Sequence, residues 1–255
     1  MNAEKVIYHE KFQKDNNKNS KLRVVKSSRK GKSNEVYALR TEEEINRVIS
    51  HFNKRIENAE TPTNERVARR DRALFICGIN IGIRGSDISV LKWGDVFDSN
   101  WQYKECQKIK PYKTRRTRKY VDIIYNDAFM AALDEYRDYL SLNCKEILNL
   151  DEYIFRSKKT GKGIERARAG AVIKKAGEES GIKQPLSSHS LRKTFSYWCY
   201  KNAPDKTHAL TVLQHILGHS KITDTLKYIG LTLEDEKEMY NSLNIGMPKI
   251  EHEYN

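Results

Sequence analysis

The sequence predicts a mainly α-helical protein with one small antiparallel β-sheet, and three features carry that expectation. Apolar residues recur every three or four positions through most of the chain after residue 40, the period of helices with one buried face. A capping box, Thr41-Glu42-Glu43-Glu44, opens that pattern. The period shortens to two only near residues 120–125, where Val121, Ile123 and Tyr125 alternate with Tyr120, Asp122 and Ile124, the mark of a strand.

Residues 1–40 precede the pattern. They hold eleven Lys and Arg against four acids, which leaves +7 of the chain's formal +13, with few apolar residues and no sustained period. Such a segment reads as a basic arm or loosely ordered extension, able to hold phosphates without reading bases. The first helix follows Thr41, with Ile45, Val48, Ile49 and Phe52 on one side. A second starts near Pro62 and turns wholly apolar through Ala73-Leu74-Phe75-Ile76-Cys77, so it is expected to be buried up to Gly82. Arg84 comes next, in Gly82-Ile83-Arg84-Gly85-Ser86-Asp87, ahead of a short helix expected over Ile88–Trp93. An arginine there either pairs with an internal acid, for which Asp87 is at hand, or serves a site. The strand at 120–125 is expected to pair with a segment near Tyr103–Lys110. Between them stand Lys108, Lys110, Lys113, Arg115, Arg116, Arg118 and Lys119, with no acid. So many like charges on one hairpin tip repel one another unless an anion lies alongside, which points to a phosphate backbone.

Helical spacing resumes after Asn126, with Phe129, Leu133, Tyr136 and Leu140 at core positions. A polar, glycine-containing loop spans Arg156–Glu165, and a helix follows to about Ser180. Arg166 and Arg168 lie in its first turn, where cations oppose the helix dipole; that points to an anionic or base-edge partner. The next helix carries His189-Ser190-Leu191-Arg192, with Leu191, Phe195, Trp198 and Cys199 as its expected buried face. His189 lies about 160° from Leu191, and Arg192 is three residues on from His189. The two are therefore expected side by side off the core face, fit for a phosphate. The last feature is Leu217-Gly218-His219-Ser220, followed by Tyr228. Ser220 reads as an N-cap, with Ile222, Leu226 and Ile229 as the apolar stripe and Tyr228 about 120° away from it. His215 and His219 stand four apart, but with no HExxH motif and no third ligand they predict no zinc site.

Composition bounds the functions open to such a fold. Charged residues make up 32% and hydrophobic residues 38%, no run of 18 apolar residues occurs, and the N-terminus is polar and basic, without a signal peptide. A cytoplasmic protein off the membrane is the expectation. Cys77, Cys106, Cys144 and Cys199 are widely spaced with no CxxC pair, which predicts reduced thiols in place of disulfides. A net charge of +13 and a pI near 9.4 point to a polyanionic partner, nucleic acid above all.

Arg84, Lys113, His189-x-x-Arg192, His219 and Tyr228 stand in the order and approximate spacing found in the tyrosine recombinase (integrase) family. Gly82-Ile83-Arg84-Gly85-Ser86-Asp87 resembles that family's first arginine motif, and Lys113 its hairpin lysine. His189-Ser190-Leu191-Arg192 looks like its HxLR box, and Leu217-Gly218-His219-Ser220 with Tyr228 like its LGHS…Y box. The resemblance spans residues 41–240. It implies the integrase catalytic-domain fold over 41–245, between the basic arm 1–40 and a C-terminal tail 246–255. Many members carry a full N-terminal core-binding domain; with only about 40 residues ahead of residue 41, that half of the DNA clamp is expected to be missing or reduced.

The implied activity is site-specific recombination of double-stranded DNA by a homotetramer assembled on two sites, with no metal and no cofactor. A bacterial, phage or plasmid origin and a place on the nucleoid go with it. Phosphodiester transfer needs a nucleophile, neutralisation of the phosphoryl oxygens and a proton for the leaving oxygen. Tyr228 would be the nucleophile, forming a 3′-phosphotyrosyl link, with Arg84 and Arg192 clamping the phosphate and Lys113 protonating the 5′-oxygen. His189 would assist Tyr228 or orient the phosphate, His219 would donate a hydrogen bond to the transition state, and Asp87 would orient the arginines. Lys110, Arg115, Arg116, Arg118, Lys119, Arg166 and Arg168 would hold DNA, and Leu233–Leu243 would dock on a neighbouring subunit. Two rival readings share much of this pattern: a type IB topoisomerase, and a non-catalytic DNA-binding regulator descended from a recombinase.

Overall fold

The computed structural model describes residues 36–109, 120–230, 237 and 239–243. The chain divides into two compact units, residues 1–34 and 35–255, and the first lies outside the described residues. Residues 36–40, counted with the basic arm from sequence, pack into the second unit: Ala38 and Leu39 are buried.

The second unit is helical, with one small sheet. Helix α1 (Glu42–Glu57) starts at the predicted box, where Glu44 N donates to Thr41 Oγ1 at 3.1 Å and Thr41 N donates back to Glu44 Oε2 at 3.4 Å. Helix α2 (Pro62–Ile81) begins on Pro62, whose missing N–H costs nothing there, and ends at Gly82. It is the central element, packed by α1 on one side and by α5 (Asp127–Asp138) and α7 (Ser188–Asn202) elsewhere. Two apolar clusters share it. Leu74 and Cys77 join Trp93, Phe97, Phe129, Leu133 and Phe155 in the first. Phe75 joins Val48, Phe52, Ile173 and Leu191 in the second, which α6 (Arg166–Glu179) completes. A smaller cluster of Leu213, Leu217 and Ile229 ties α8 (Lys206–Leu217) to α9 (Ile222–Ile229).

Strands β1 (Gln107–Ile109) and β2 (Val121–Ile123) pair antiparallel, Gln107 opposite Ile123 and Ile109 opposite Val121. They are shorter than the alternation predicted. The hairpin tip with Lys110, Lys113, Arg115, Arg116, Arg118 and Lys119 lies outside the described residues.

One expected helix is corrected. The helix expected over Ile88–Trp93 is two single turns, α3 (Gly85–Ile88) and α4 (Trp93–Val96). Leu91 and Trp93 spend their backbone groups on Ile154 and Glu152 instead, and the bridge Lys92–Tyr153 holds the extended residue between the turns. The loop expected over Arg156–Glu165 is present and closes as a tight turn, with Ile164 N bonded to Phe155 O at 2.7 Å and Ile164 buried. Helix α2 is buried through Ala73, Leu74, Phe75 and Cys77 as expected, and ahead of that stretch it buries Asp71 against Arg70 at 2.6 Å and Arg55 at 3.2 Å. No described helix is long and apolar enough to cross a membrane.

Candidate active site

Two glycines in the left-handed region set the position of the central arginine. Helix α2 ends at Gly82 with φ +63°, and α8 ends at Gly218 with φ +62°. Each end leaves carbonyls carrying partial negative charge. Arg192, in the second turn of α7, reaches both: Nη1 donates to Gly82 O at 2.9 Å, and Nη2 donates to Leu217 O. Side chains larger than glycine are barred from position 82, because a Cβ there would lie 2.3 Å from the Phe195 ring.

This overturns the expectation that Arg192 sits on the surface beside His189, since it is only 3% exposed. The buried face of α7 includes the polar residues Ser188, Ser190, Thr194 and Ser196, so an apolar-period reading rotates the face wrongly; Cys199 accordingly lies exposed. Burial and then the charge of Arg84 push the Arg192 pKa down to about 10, with Tyr228 and Asp87 acting the other way. It remains a cation at neutral pH. Its Nε is buried and makes no hydrogen bond among the described residues, a donor suited to an anion.

Arg84 occupies the N-cap position of α3, half-buried. Gly85 lets this turn meet the start of α7, for a Cβ on it would lie 2.5 Å from Ser188 Cβ. That close approach brings α3 against the start of α7, and the charges of Arg84 and the buried Asp87 both act on Arg192. Arg166 Nη2 lies 3.5 Å from His189 Nε2, a contact between the first turns of α6 and α7. Arg168, two residues on and about 200° round the helix, is exposed and away from that contact.

His219 and Tyr228 meet edge to face, ring centroids 5.0 Å apart at 61°. The Arg192 guanidinium carbon lies 5.9 Å from the Tyr228 ring centroid. Here the sequence misplaced the local frame. Helix α9 starts at Ile222 with Lys221, not Ser220, at the N-cap position. Thr225 and Ile229 form its buried line, whereas Ile222 is 41% exposed. Tyr228 is half-buried against the α8–α9 cluster, at the edge of the packed face.

Thr225, fully buried, places its Oγ1 3.0 Å from His219 Nδ1. Burial, then Arg192, holds the His219 pKa below the ordinary imidazole range, with Asp224 opposing. The ring is therefore neutral at pH 7. Thr225 escaped the sequence reading because a lone threonine inside an apolar-spaced helix carries no pattern of its own.

The described residues thus bring together Arg84, Asp87, Arg192, His219 and Tyr228, add Thr225 behind His219, and pair His189 with Arg166 at the start of α7. A phenol beside a buried guanidinium, a second arginine and a neutral imidazole can serve nucleophilic attack on a phosphodiester. The cavity of about 670 Å³ lined by Arg66, Arg70, Tyr139 and Arg156 lies on another part of the molecule and holds none of these groups.

Residues 39–234 match the phage integrase family. A relative from Bacillus subtilis (strain 168), the probable integrase/recombinase YoeC, is 33% identical over 172 residues, covering 68% of this chain and 83% of that protein. The tyrosine recombinase XerD of Corynebacterium glutamicum is 32% identical over 80 residues, 31% of this chain and 25% of that one. Among solved structures, the XerA recombinase aligns over 86% of this chain and 66% of its own, with TM-score 0.58 and 23% identity. The XerH recombinase in a post-cleavage complex with its difH substrate aligns over 82% of this chain and 54% of its own, with TM-score 0.58 and 19% identity. Against these solved recombinases the chain spans about two thirds of their length or less. With its fold, its residue order and these matches in agreement, the chain belongs to the phage integrase family of tyrosine recombinases.

Proposed function

We propose that this protein cuts and rejoins double-stranded DNA through a covalent 3′-phosphotyrosyl link at Tyr228. The observation that carries the reading is the buried Arg192, held by the ends of α2 and α8 close to Tyr228, Arg84 and His219. The Tyr228 oxygen attacks phosphorus, the bond from phosphorus to the 5′-oxygen breaks, and that oxygen leaves with a proton from Lys113. A 5′-hydroxyl from a second strand then attacks the phosphotyrosine and releases Tyr228. No bond energy is lost, so neither ATP nor a cofactor enters the balance.

Arg84 and Arg192 take the phosphoryl oxygens through fork-shaped guanidiniums. Neutral His219 donates a hydrogen bond, His189 orients the phosphate or takes the phenolic proton, and Asp87 orients the arginines. The hairpin residues Lys110, Arg115, Arg116, Arg118 and Lys119 hold the DNA backbone. The partner class is supported by the XerH neighbour, which holds its DNA, and by the +13 charge of this chain. Strand exchange requires two sites, and a homotetramer is the assembly that would join them.

The test uses the DNA flanking the gene. Incubation of the full chain with two labelled duplexes should yield a protein–DNA adduct on a 3′ end and recombinant strands. Relaxation of supercoiled DNA without exchanged strands would favour a topoisomerase, and binding without any adduct would favour a regulator.

A further inference from the structure

Helix α9 has eight residues, so its stability and placement depend on its ends and its packing more than on its own hydrogen bonds. Its C-terminal carbonyls lie two residues or fewer beyond Tyr228. Arg40 reaches them from the start of the folded unit: Nη2 donates to Gly230 O at 3.0 Å and to Ile229 O at 3.5 Å. Gly230 is suited to that contact twice over. It has φ +69°, and a Cβ on it would lie 2.7 Å from Arg40 Nη2. The Arg40 guanidinium also lies 5.2 Å from the Tyr197 ring centroid on α7 and 5.7 Å from that of Tyr37.

The backbone around Arg40 is fixed as well. Leu39 N donates to Thr194 Oγ1 at 2.9 Å, and Trp198 Nε1 donates to Leu39 O at 2.9 Å. Thr194 and Trp198 lie on the helix that carries Arg192. Residues 39 and 40 therefore fasten the arginine-bearing helix and the tyrosine-bearing helix to one point.

We infer that Arg40 is a positioning residue for Tyr228: its guanidinium holds the carbonyl end of α9 and so fixes the phenol against Arg192 and His219. This rests on the nucleophile reading of Tyr228. A cation at a helix C-terminus satisfies orphan carbonyls and complements the dipole. Without it the end of α9 is free to shift, and a shift of about 1 Å in a reacting group can lower a rate about 100-fold.

The test compares two reactions in the full chain. The first is adduct formation on a nicked DNA, which needs Tyr228. The second uses a Tyr228→Phe background and a strand ending in a 3′-(4-nitrophenyl phosphate), to which a 5′-hydroxyl joins with loss of nitrophenolate; this needs the phosphate-binding groups but no tyrosine. Arg40→Ala should slow adduct formation about 100-fold and leave both the joining reaction and DNA affinity unchanged. Arg40→Lys, which keeps one donor and the charge, should recover part of the loss. Adduct formation at the wild-type rate in Arg40→Ala, or an equal fall in both reactions, would overturn the inference. A wild-type chain that forms no adduct while its Tyr228→Phe variant still joins the activated strand would overturn the nucleophile reading itself, and this inference with it.

Discussion

Arg192 shows how a buried charge is built into this fold. Two helix ends supply its acceptors, and the cost of burying a cation is offset by carbonyls that would themselves lack partners without it. Sequence spacing found the residue but placed it on the wrong side of its helix, because its neighbours on the buried face are serines and a threonine. His219 is the second case. Spacing identified it, while its partner Thr225 had to be seen in three dimensions. Thr225→Val keeps the volume and removes the hydroxyl that faces His219 Nδ1, so it should slow adduct formation roughly five- to tenfold, the worth of one hydrogen bond. A rate equal to wild type would remove Thr225 from the site. The pH dependence carries a definite sign. Because burial, then Arg192, lowers the His219 pKa, the unfolded chain takes up that proton first as the solution is acidified. The stability this group provides is whole above about pH 6.5 and is lost as pH falls through the lowered value. His219→Gln should therefore flatten the dependence of Tm on pH on the acid side of neutrality; a slope equal to that of wild type would contradict this.

Helix boundaries marked by backbone chemistry were readable, and those set by packing were not. Thr41, Pro62 and Gly82 each impose a local preference that tertiary contacts do not override, and α1 and α2 begin and end where those residues predict. The segment 88–93 had no such marker and pairs with Glu152–Ile154 instead, while at the start of α9 Ser220 read as a cap yet Lys221 holds that position, the helix being set by packing through Thr225. On α6 the two first-turn arginines looked equivalent in sequence, yet only Arg166 approaches His189. Arg168→Ala should relax base preference near the cut, about 1–3 kcal/mol for a lost bidentate pair with guanine, and leave cleavage of a tolerant site intact. Arg166→Ala should also slow cleavage. Recovery of the wild-type motif from a randomised site library by Arg168→Ala would assign Arg168 to phosphate or solvent. The hairpin makes its own prediction through Lys113. Lys113→Ala should cut a substrate with sulfur at the bridging 5′ position far better than the normal one, since a thiolate leaves without a proton. Equal impairment on both substrates would make Lys113 a phosphate ligand.

The molecule as a whole joins a basic N-terminal segment to a helical unit whose chemistry converges from distant parts of the chain. Arg84 follows α2, His189 and Arg192 ride on α7, His219 follows α8 and Tyr228 lies in the last turn of α9. Only their order along the chain was visible in the sequence; that α2 and α8 end at the same guanidinium follows from the packing of α7 against both. In the proposed reaction Tyr228 is the residue on which the chemistry turns. The most direct measurement is adduct formation on a nicked suicide substrate by the wild-type chain and by Tyr228→Phe, with the attached peptide identified by mass spectrometry. Wild type should carry the DNA on Tyr228, and Tyr228→Phe should bind the same DNA with equal affinity yet form no adduct. An adduct that persists in Tyr228→Phe, with the DNA on Tyr240 or any other residue, would contradict the assignment.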